Sequence, residues 1–131
     1  MLYEFSLKTG RTTFHDITSR VEKSVAESKI KDGICIVYCP HTTAGITINE
    51  NADPDVVKDM VSGFEAAFPD SPDFSHLEGN SDAHLKSSCT GCSETLIINN
   101  GTLLRGTWQG IYFCEFDGPR TRKYYVKVMG K

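Results

Sequence analysis

The sequence predicts an α+β fold in which most strands run antiparallel. Its 131 residues have the size of one domain, so residues 1–131 are expected to form a single domain. Strand-like patterns come first, helical patterns follow, and the last third contains strand-like segments only. Without a helix in that third, nothing can cross over between parallel strands. This grouping predicts helices that cover one side of a mostly antiparallel sheet.

The N-terminal segment predicts a hairpin followed by a helix. Apolar and polar residues alternate over residues 3–7, as in a half-buried strand, and residues 12–16 are expected to be its hairpin partner. Ser19 and Glu22 have the spacing of a capping box. Together with apolar residues at four-residue intervals, they predict a helix over residues 19–28.

The rest of the chain predicts two strands, two helices and a final group of strands. Asp53 supplies a capping carboxylate and Pro54 fits the first helical position, so a helix is expected to start there. A third, shorter helix is expected over residues 81–88. Strands are predicted at residues 34–38, 45–49, 95–98, 111–116 and 124–128, with Asn99-Asn100-Gly101 as a hairpin turn.

Composition and charge exclude several classes of protein. A net charge of −3 argues against binding to nucleic acid, and no basic amphipathic stretch suggests a membrane surface. No apolar run reaches the roughly 18 residues of a membrane span, and the start lacks the apolar core of a signal peptide. We therefore expect a cytoplasmic protein whose five cysteines are thiols, with Cys89-x-x-Cys92 marking a helix exit.

Two polar segments contain the candidate catalytic groups. His41 follows a proline at a strand end, next to the hydroxyls of Thr42 and Thr43. Residues 76–84 include two histidines, two carboxylates and Asn80. Three histidines with one open position would suit a catalytic zinc; alternatively they act as acids and bases without metal, or are solvated loop residues.

Other positions have two interpretations each. Asp53 is either a simple helix cap or part of an anion site at the helix N-terminus, shortly after Glu50. Trp108 either lines a pocket or packs over a bend in a strand. Arg120, Arg122 and Lys123 could hold a phosphate if the turn before them faces the histidines, or lie at a solvated hairpin end.

Three motifs resemble those of the YjbQ-like family. They are His41-Thr-Thr-Ala-Gly-Ile-Thr-Ile-Asn-Glu-Asn-Ala-Asp-Pro-Asp55, the stretch from His76 to Ser88, and Gly106-Thr-Trp-Gln109 followed by Glu115-Phe-Asp-Gly-Pro-Arg120. The resemblance implies a β-sandwich flanked by two or three helices, a homotrimer with sites near subunit boundaries, and secondary thiamine-phosphate synthase activity. That reaction joins a pyrimidine diphosphate to a thiazole phosphate and releases pyrophosphate.

The matched motifs assign expected roles. His41, His84 and Asn80 are the catalytic candidates, and His41, His76 and His84 the candidate ligands of a divalent metal, Zn²⁺ or Mg²⁺. The substrate-binding candidates are Thr42, Thr43, Glu50, Asp53, Trp108 and Arg120. Two other functions remain open: a zinc-dependent hydrolase with Glu50 or Glu78 as general base, and a trimer that binds a phosphorylated metabolite without catalysis.

Overall fold

Eight strands and three helices make up the computed structural model, which describes all residues from Met1 to Lys131. In chain order they are β1 (Leu2–Lys8), β2 (Thr13–Asp16), α1 (Thr18–Ser28), β3 (Asp32–Tyr38), β4 (Ala44–Glu50), α2 (Pro54–Ala67), α3 (Ser81–Thr90), β5 (Ser93–Asn99), β6 (Thr102–Leu104), β7 (Gln109–Glu115) and β8 (Thr121–Gly130). The predicted α+β class is confirmed.

Two antiparallel sheets enclose the main hydrophobic core. One has five strands in the order β1-β8-β3-β5-β6, and the other has three in the order β2-β7-β4. Inward-facing side chains of both sheets and of α1 form a cluster of 15 buried residues, among them Val21, Val37, Phe113 and Val126. Alternation along β8, in which every second side chain is buried, places its apolar residues in this core.

The outer faces of the two sheets differ. Helices α2 and α3 cover the three-stranded sheet, where Val57, Phe64 and Ala83 pack around Tyr112 and Phe116. The outer face of the five-stranded sheet has no such cover. It exposes a row of apolar side chains on neighbouring strands, Ile34, Ile97, Leu104 and Met129, which are 37–59% exposed. We call these four residues the outer apolar row.

Several local predictions are confirmed. Asp53 caps α2 by accepting a 2.9 Å hydrogen bond from the amide of Asp55, and Pro54 is its first residue. Asn100 and Gly101 both have positive φ, as the tight turn between β5 and β6 requires. All five cysteines are free thiols, and α3 ends at Thr90, between Cys89 and Cys92.

Two predictions about the N-terminal segment are wrong. Strand β2 pairs with β7 in the other sheet, because Phe14 packs with Phe64 and Phe116 under the helices instead of beside β1. Ser19 is an exposed residue inside α1 and not its cap. Ile17 is at the N-cap position, where its side chain makes no hydrogen bond, and the carboxylate of Asp16 just before it accepts hydrogen bonds from the amide and hydroxyl of Thr18.

The turn at Asp117-Gly118-Pro119 is likewise not a hairpin end, because β7 and β8 belong to different sheets. It carries the chain across one end of the sandwich. None of the three helices combines the length and apolar character needed to cross a membrane.

Candidate functional site

A polar pocket of about 410 Å³ opens at one end of the sandwich, and no hydrophobic side chain lines it. Three larger cavities contain none of the histidines: two, of about 640 and 650 Å³, adjoin α1, and a third, of about 450 Å³, lies beside Asn80 and Asp117. The polar pocket brings together polar groups from distant parts of the chain. Its lining is Pro40, His41, Thr42, Thr43, His76, Glu78, Asn80, His84, Arg120 and Arg122. We call it the histidine pocket.

Four chain segments meet at this pocket because each ends or turns at the same end of the sandwich. The loop after β3 contributes His41, and the first turn of α3 contributes His84. The loop before α3 contributes His76, while the crossover from β7 to β8 contributes Arg120. The antiparallel sheets thus bring together residues as far apart in sequence as His41 and Arg120.

Arg122 lies at the base of the pocket and is held by Glu115. Arg122 is 5% exposed and Glu115 is fully buried. The Arg122 Nε donates to Glu115 Oε1 at 2.7 Å and Nη2 to Oε2 at 2.6 Å, while Nη2 also donates to the Thr43 hydroxyl at 2.7 Å. Nη1 makes no hydrogen bond within the chain. It does not belong to the fully buried polar atoms that lack a partner, so it is not sealed inside the protein. It is the donor that Arg122 can offer to a ligand.

Glu115 is ionised to match this arginine. Burial alone would raise the pKa of Glu115, but hydrogen bonds from Arg122, from the Thr9 hydroxyl and from the Asp117 amide hold it below 4.5. Both carboxylate oxygens are fully occupied by these donors. The guanidinium is therefore fixed in one orientation by a rigid, charged anchor.

A second network forms the opposite wall. The Asn80 side-chain amide donates to Glu78 Oε2 and to Asp117 Oδ2, both at 2.8 Å, and Arg120 Nη2 donates to the same Asp117 oxygen at 2.9 Å. Two carboxylate acceptors fix the amide orientation, because the reverse orientation would place its oxygen against them. Asn80 Oδ1 is left buried and without a partner, so it can accept a hydrogen bond from a bound molecule.

The three histidines line the same pocket. The rings of His76 and His84 stand edge to face with centroids 5.5 Å apart. Nε2 of His41 is 2.9 Å from the amide nitrogen of Lys123 and 3.1 Å from its carbonyl oxygen. No three histidine, cysteine or acidic residues are grouped so that they could hold a metal ion. A metal held by the three histidines therefore stays a prediction.

Three predicted substrate-binding residues lie elsewhere. Strand β4 begins beside the pocket at Ala44 and ends at Glu50, about 20 Å away for seven residues. Asp53 caps α2 beyond Glu50. Trp108 is 63% exposed and lies at the same end of the sheet, because its carbonyl accepts a hydrogen bond from the Asn51 amide. Within one chain, Glu50, Asp53 and Trp108 cannot bind the same small molecule as His41.

Sequence reasoning named Arg122 among the residues that could hold a phosphate but did not foresee its pairing with Glu115, although the signal was present. Along β8, the Arg122 side chain is buried on the same inward face as those of Tyr124, Val126 and Val128. Glu115 closes an otherwise apolar run of β7. A charged side chain on the inward face of a strand needs a buried partner of opposite charge. This rule would have paired Arg122 with Glu115.

We expect anion binding to raise the pKa of His41. Burial lowers that pKa below 6.5, helped by the charges of Arg122 and Arg120. The folded protein thus favours the neutral ring. The resulting contribution to the stability of the fold is present above pH 6.5 and is lost as the pH falls through the lowered pKa of His41. A phosphate next to the ring favours the protonated form, so binding should take up a proton and shift the pKa upward.

Titration of the ring resonances by NMR, with and without inorganic phosphate, measures this shift. His15 is the internal control, since its pKa is also lowered by burial and it does not line the pocket. A His41 pKa that phosphate leaves unchanged, or an equal shift at His15, would contradict a phosphate position beside His41.

Comparison with known proteins identifies the relatives of this chain. Residues 3–131 match the family model described as UPF0047 protein YjbQ-like. The chain is 56% identical to the UPF0047 protein MJ1081 of Methanocaldococcus jannaschii, covering 99% of this chain and 95% of that protein. It is 55% identical to the UPF0047 protein YugU of Bacillus subtilis, covering 99% and 100%.

Solved structures agree with this likeness. A YjbQ/UPF0047 family protein from Clostridium acetobutylicum superposes with a TM-score of 0.95 at 57% identity, covering 97% of this chain and 99% of that one. A protein of unknown function from Sulfolobus solfataricus superposes with a TM-score of 0.96 at 32% identity, covering 100% and 97%. With sequence and fold matched over nearly its whole length, the chain belongs to the YjbQ-like (UPF0047) family.

Proposed function

We propose that the protein is an enzyme that acts on a small phosphorylated substrate in the histidine pocket. The observation that carries this proposal is the unpaired Nη1 of Arg122, a buried and anchored guanidinium directed to a pocket without apolar lining. Arg120 and three histidines add donors around it, as recognition of a phosphate or pyrophosphate requires.

The candidate reaction is thiamine-phosphate synthesis, which the family resemblance suggests. Its chemical demand is stabilisation of the departing pyrophosphate while the pyrimidine and thiazole parts join. Arg122 and Arg120 would hold the pyrophosphate, and the hydroxyls of Thr42 and Thr43 would help to orient it. Fixed donors of this kind cost no reorganisation when charge develops, and each is worth roughly 10²–10³ in rate.

The histidines supply proton transfer. A neutral His41 at pH 7 can accept a proton, while His84 and His76 can protonate the leaving pyrophosphate. Asn80, the residue immediately before α3, would orient the substrate next to His84 through its unpaired Oδ1. Because no three-ligand set is grouped in the chain, no step is assigned to a metal held by the protein; Zn²⁺ or Mg²⁺ stays a prediction.

Assembly as a homotrimer in the cytoplasm belongs to the same proposal. The outer apolar row supports the assembly, since it leaves the face of a sheet uncovered in a single chain. A pocket near a subunit boundary would also give Glu50, Asp53 and Trp108 a possible place beside a neighbouring subunit's histidine pocket.

The proposal is tested by assaying thiamine-phosphate formation with and without added Mg²⁺, for the unaltered protein and for His84→Ala. We expect His84→Ala to lose about 10²-fold or more of the rate, because removing one acid–base group typically costs this much. Its unfolding and its size in solution should be unchanged, since the His84 side chain makes no hydrogen bond within the chain and is only half-buried.

His15→Ala is the matched control, a histidine outside the pocket that should keep full activity. Equal activity in His84→Ala and the unaltered protein would refute the site assignment. Binding of pyrophosphate without turnover of any substrate pair would refute catalysis and leave a phosphometabolite-binding protein.

A further inference from the structure

We propose that Cys39 and Cys92 form a reversible disulfide next to the histidine pocket. The pairing of β3 with β5 matches Val37 with Glu94 and Tyr38 with Ser93. The next pair in this register is Cys39 with Cys92, and the Cys39 amide donates to the Cys92 carbonyl at 2.8 Å. The pairing therefore continues one residue beyond the strand ends.

The positions of the two residues suit a disulfide. Directly opposed residues that share a hydrogen bond in an antiparallel pair have Cα atoms about 5.5 Å apart, within the 4.4–6.8 Å of disulfides. Their side chains also lie on the same face of the sheet. Alternation along β3 points Cys35, Val37 and Cys39 inward, and a directly opposed residue on the neighbouring strand lies on the same face; Cys92 therefore shares this face with Cys39, although it is exposed just before the start of β5.

The two thiols have unequal reactivity. Cys92 is exposed, whereas Cys39 is 1% exposed and burial raises its pKa to about 11, against the opposing effects of the His41 amide and Arg122. Cys92 is thus the thiol that an external oxidant meets first. Cys39 reacts second, within the chain, where proximity compensates for its small thiolate fraction.

Oxidised glutathione is a suitable oxidant, and the steps balance. The Cys92 thiolate attacks one glutathione sulfur and releases the other as a thiolate, which leaves a mixed disulfide. Cys39 then loses its proton and attacks the Cys92 sulfur, and the second glutathione departs as a thiolate. Two protein thiols and one glutathione disulfide become one protein disulfide and two glutathione thiols.

The disulfide would act on the pocket because both cysteines adjoin segments that line it. Cys39 precedes Pro40 and His41, and Cys92 comes directly after α3, which contributes His84. To bond with an exposed partner, the Cys39 sulfur must leave its place in the core. That movement displaces the Pro40–His41 turn and its contact with the Lys123 backbone, so oxidation should weaken anion binding. This coupling rests on the proposed function; formation of the disulfide does not.

The test exposes the full-length protein to oxidised glutathione, counts thiols and maps disulfide-linked peptides by mass spectrometry. We expect the count to fall from five to three, with one Cys39–Cys92 peptide. Cys92→Ser should lose the disulfide and Cys89→Ser should keep it; both residues are exposed, so neither substitution threatens folding. Pyrophosphate affinity should fall about fivefold or more on oxidation and recover with dithiothreitol.

The outcomes are distinguishable. A Cys89–Cys92 link, or a mixed disulfide that never resolves, would overturn the proposed pair. A Cys39–Cys92 link with unchanged pyrophosphate affinity would overturn its effect on the pocket. A reduced protein that binds no pyrophosphate would contradict the proposed function, while the peptide map still decides the disulfide.

Discussion

Replacing Arg122 with alanine is expected to abolish pyrophosphate binding and to lower the free energy of unfolding by about 3–5 kcal/mol. The binding loss follows from removing the anchored donor at the base of the histidine pocket. The stability loss follows from leaving Glu115, fully buried, without its cation. Denaturant unfolding gives the second quantity, and titration calorimetry with pyrophosphate gives the first.

Two further variants separate these effects. Arg122→Met combined with Glu115→Leu removes both charges and should recover most of the stability without recovering binding. Arg120→Ala is the control for charge in the pocket: Arg120 is exposed, so binding should weaken while unfolding changes by no more than about 0.5 kcal/mol. If Arg122→Ala binds pyrophosphate as tightly as the unaltered protein, the pocket is not the anion site.

Replacing Ile97 with aspartate is expected to dissociate the proposed homotrimer into monomers. Ile97 lies in the outer apolar row, paired with Ile34 on one side and Leu104 on the other. A carboxylate there would be buried without a partner in any interface that covers the row. In the single chain Ile97 is 55% exposed, so the monomer should remain folded. Light scattering coupled to size-exclusion chromatography measures the mass directly.

Ala26→Asp is the matched control, an apolar-to-acidic change on the exposed side of α1. It should leave the mass unchanged. A protein that is monomeric before any substitution, or Ile97→Asp that keeps the mass of the unaltered protein, would contradict assembly through this face.

The features that the sequence predicted correctly are those decided by neighbouring residues. The Asp53-Pro54 start of α2 depends on one carboxylate and one fixed φ, and the Asn100-Gly101 turn depends on residues that tolerate positive φ. Apolar periodicity likewise located β1, β3 and β5 to within two residues. The motifs also singled out His41, His76 and His84 as a group before any contact between them was known.

Pairing between distant elements needed the tertiary structure. Residues 13–16 have the same local pattern whether they pair with β1 or β7, and the burial of Phe14 against Phe64 and Phe116 decides for β7. The hydrogen bond from the first amide of α1 to Asp16, the last residue of β2, follows from the same placement of β2.

The sequence by itself determined the α+β class, the family, most element positions and the three histidines of the pocket, since local propensity and motif carry that information. Only the tertiary structure decided that Glu115 anchors Arg122, and that Glu50, Asp53 and Trp108 lie at the far end of β4. The physical reason is that burial and charge pairing depend on which sheet faces meet. Residues adjacent in one motif, such as His41 and Glu50, are separated by the full length of an extended strand.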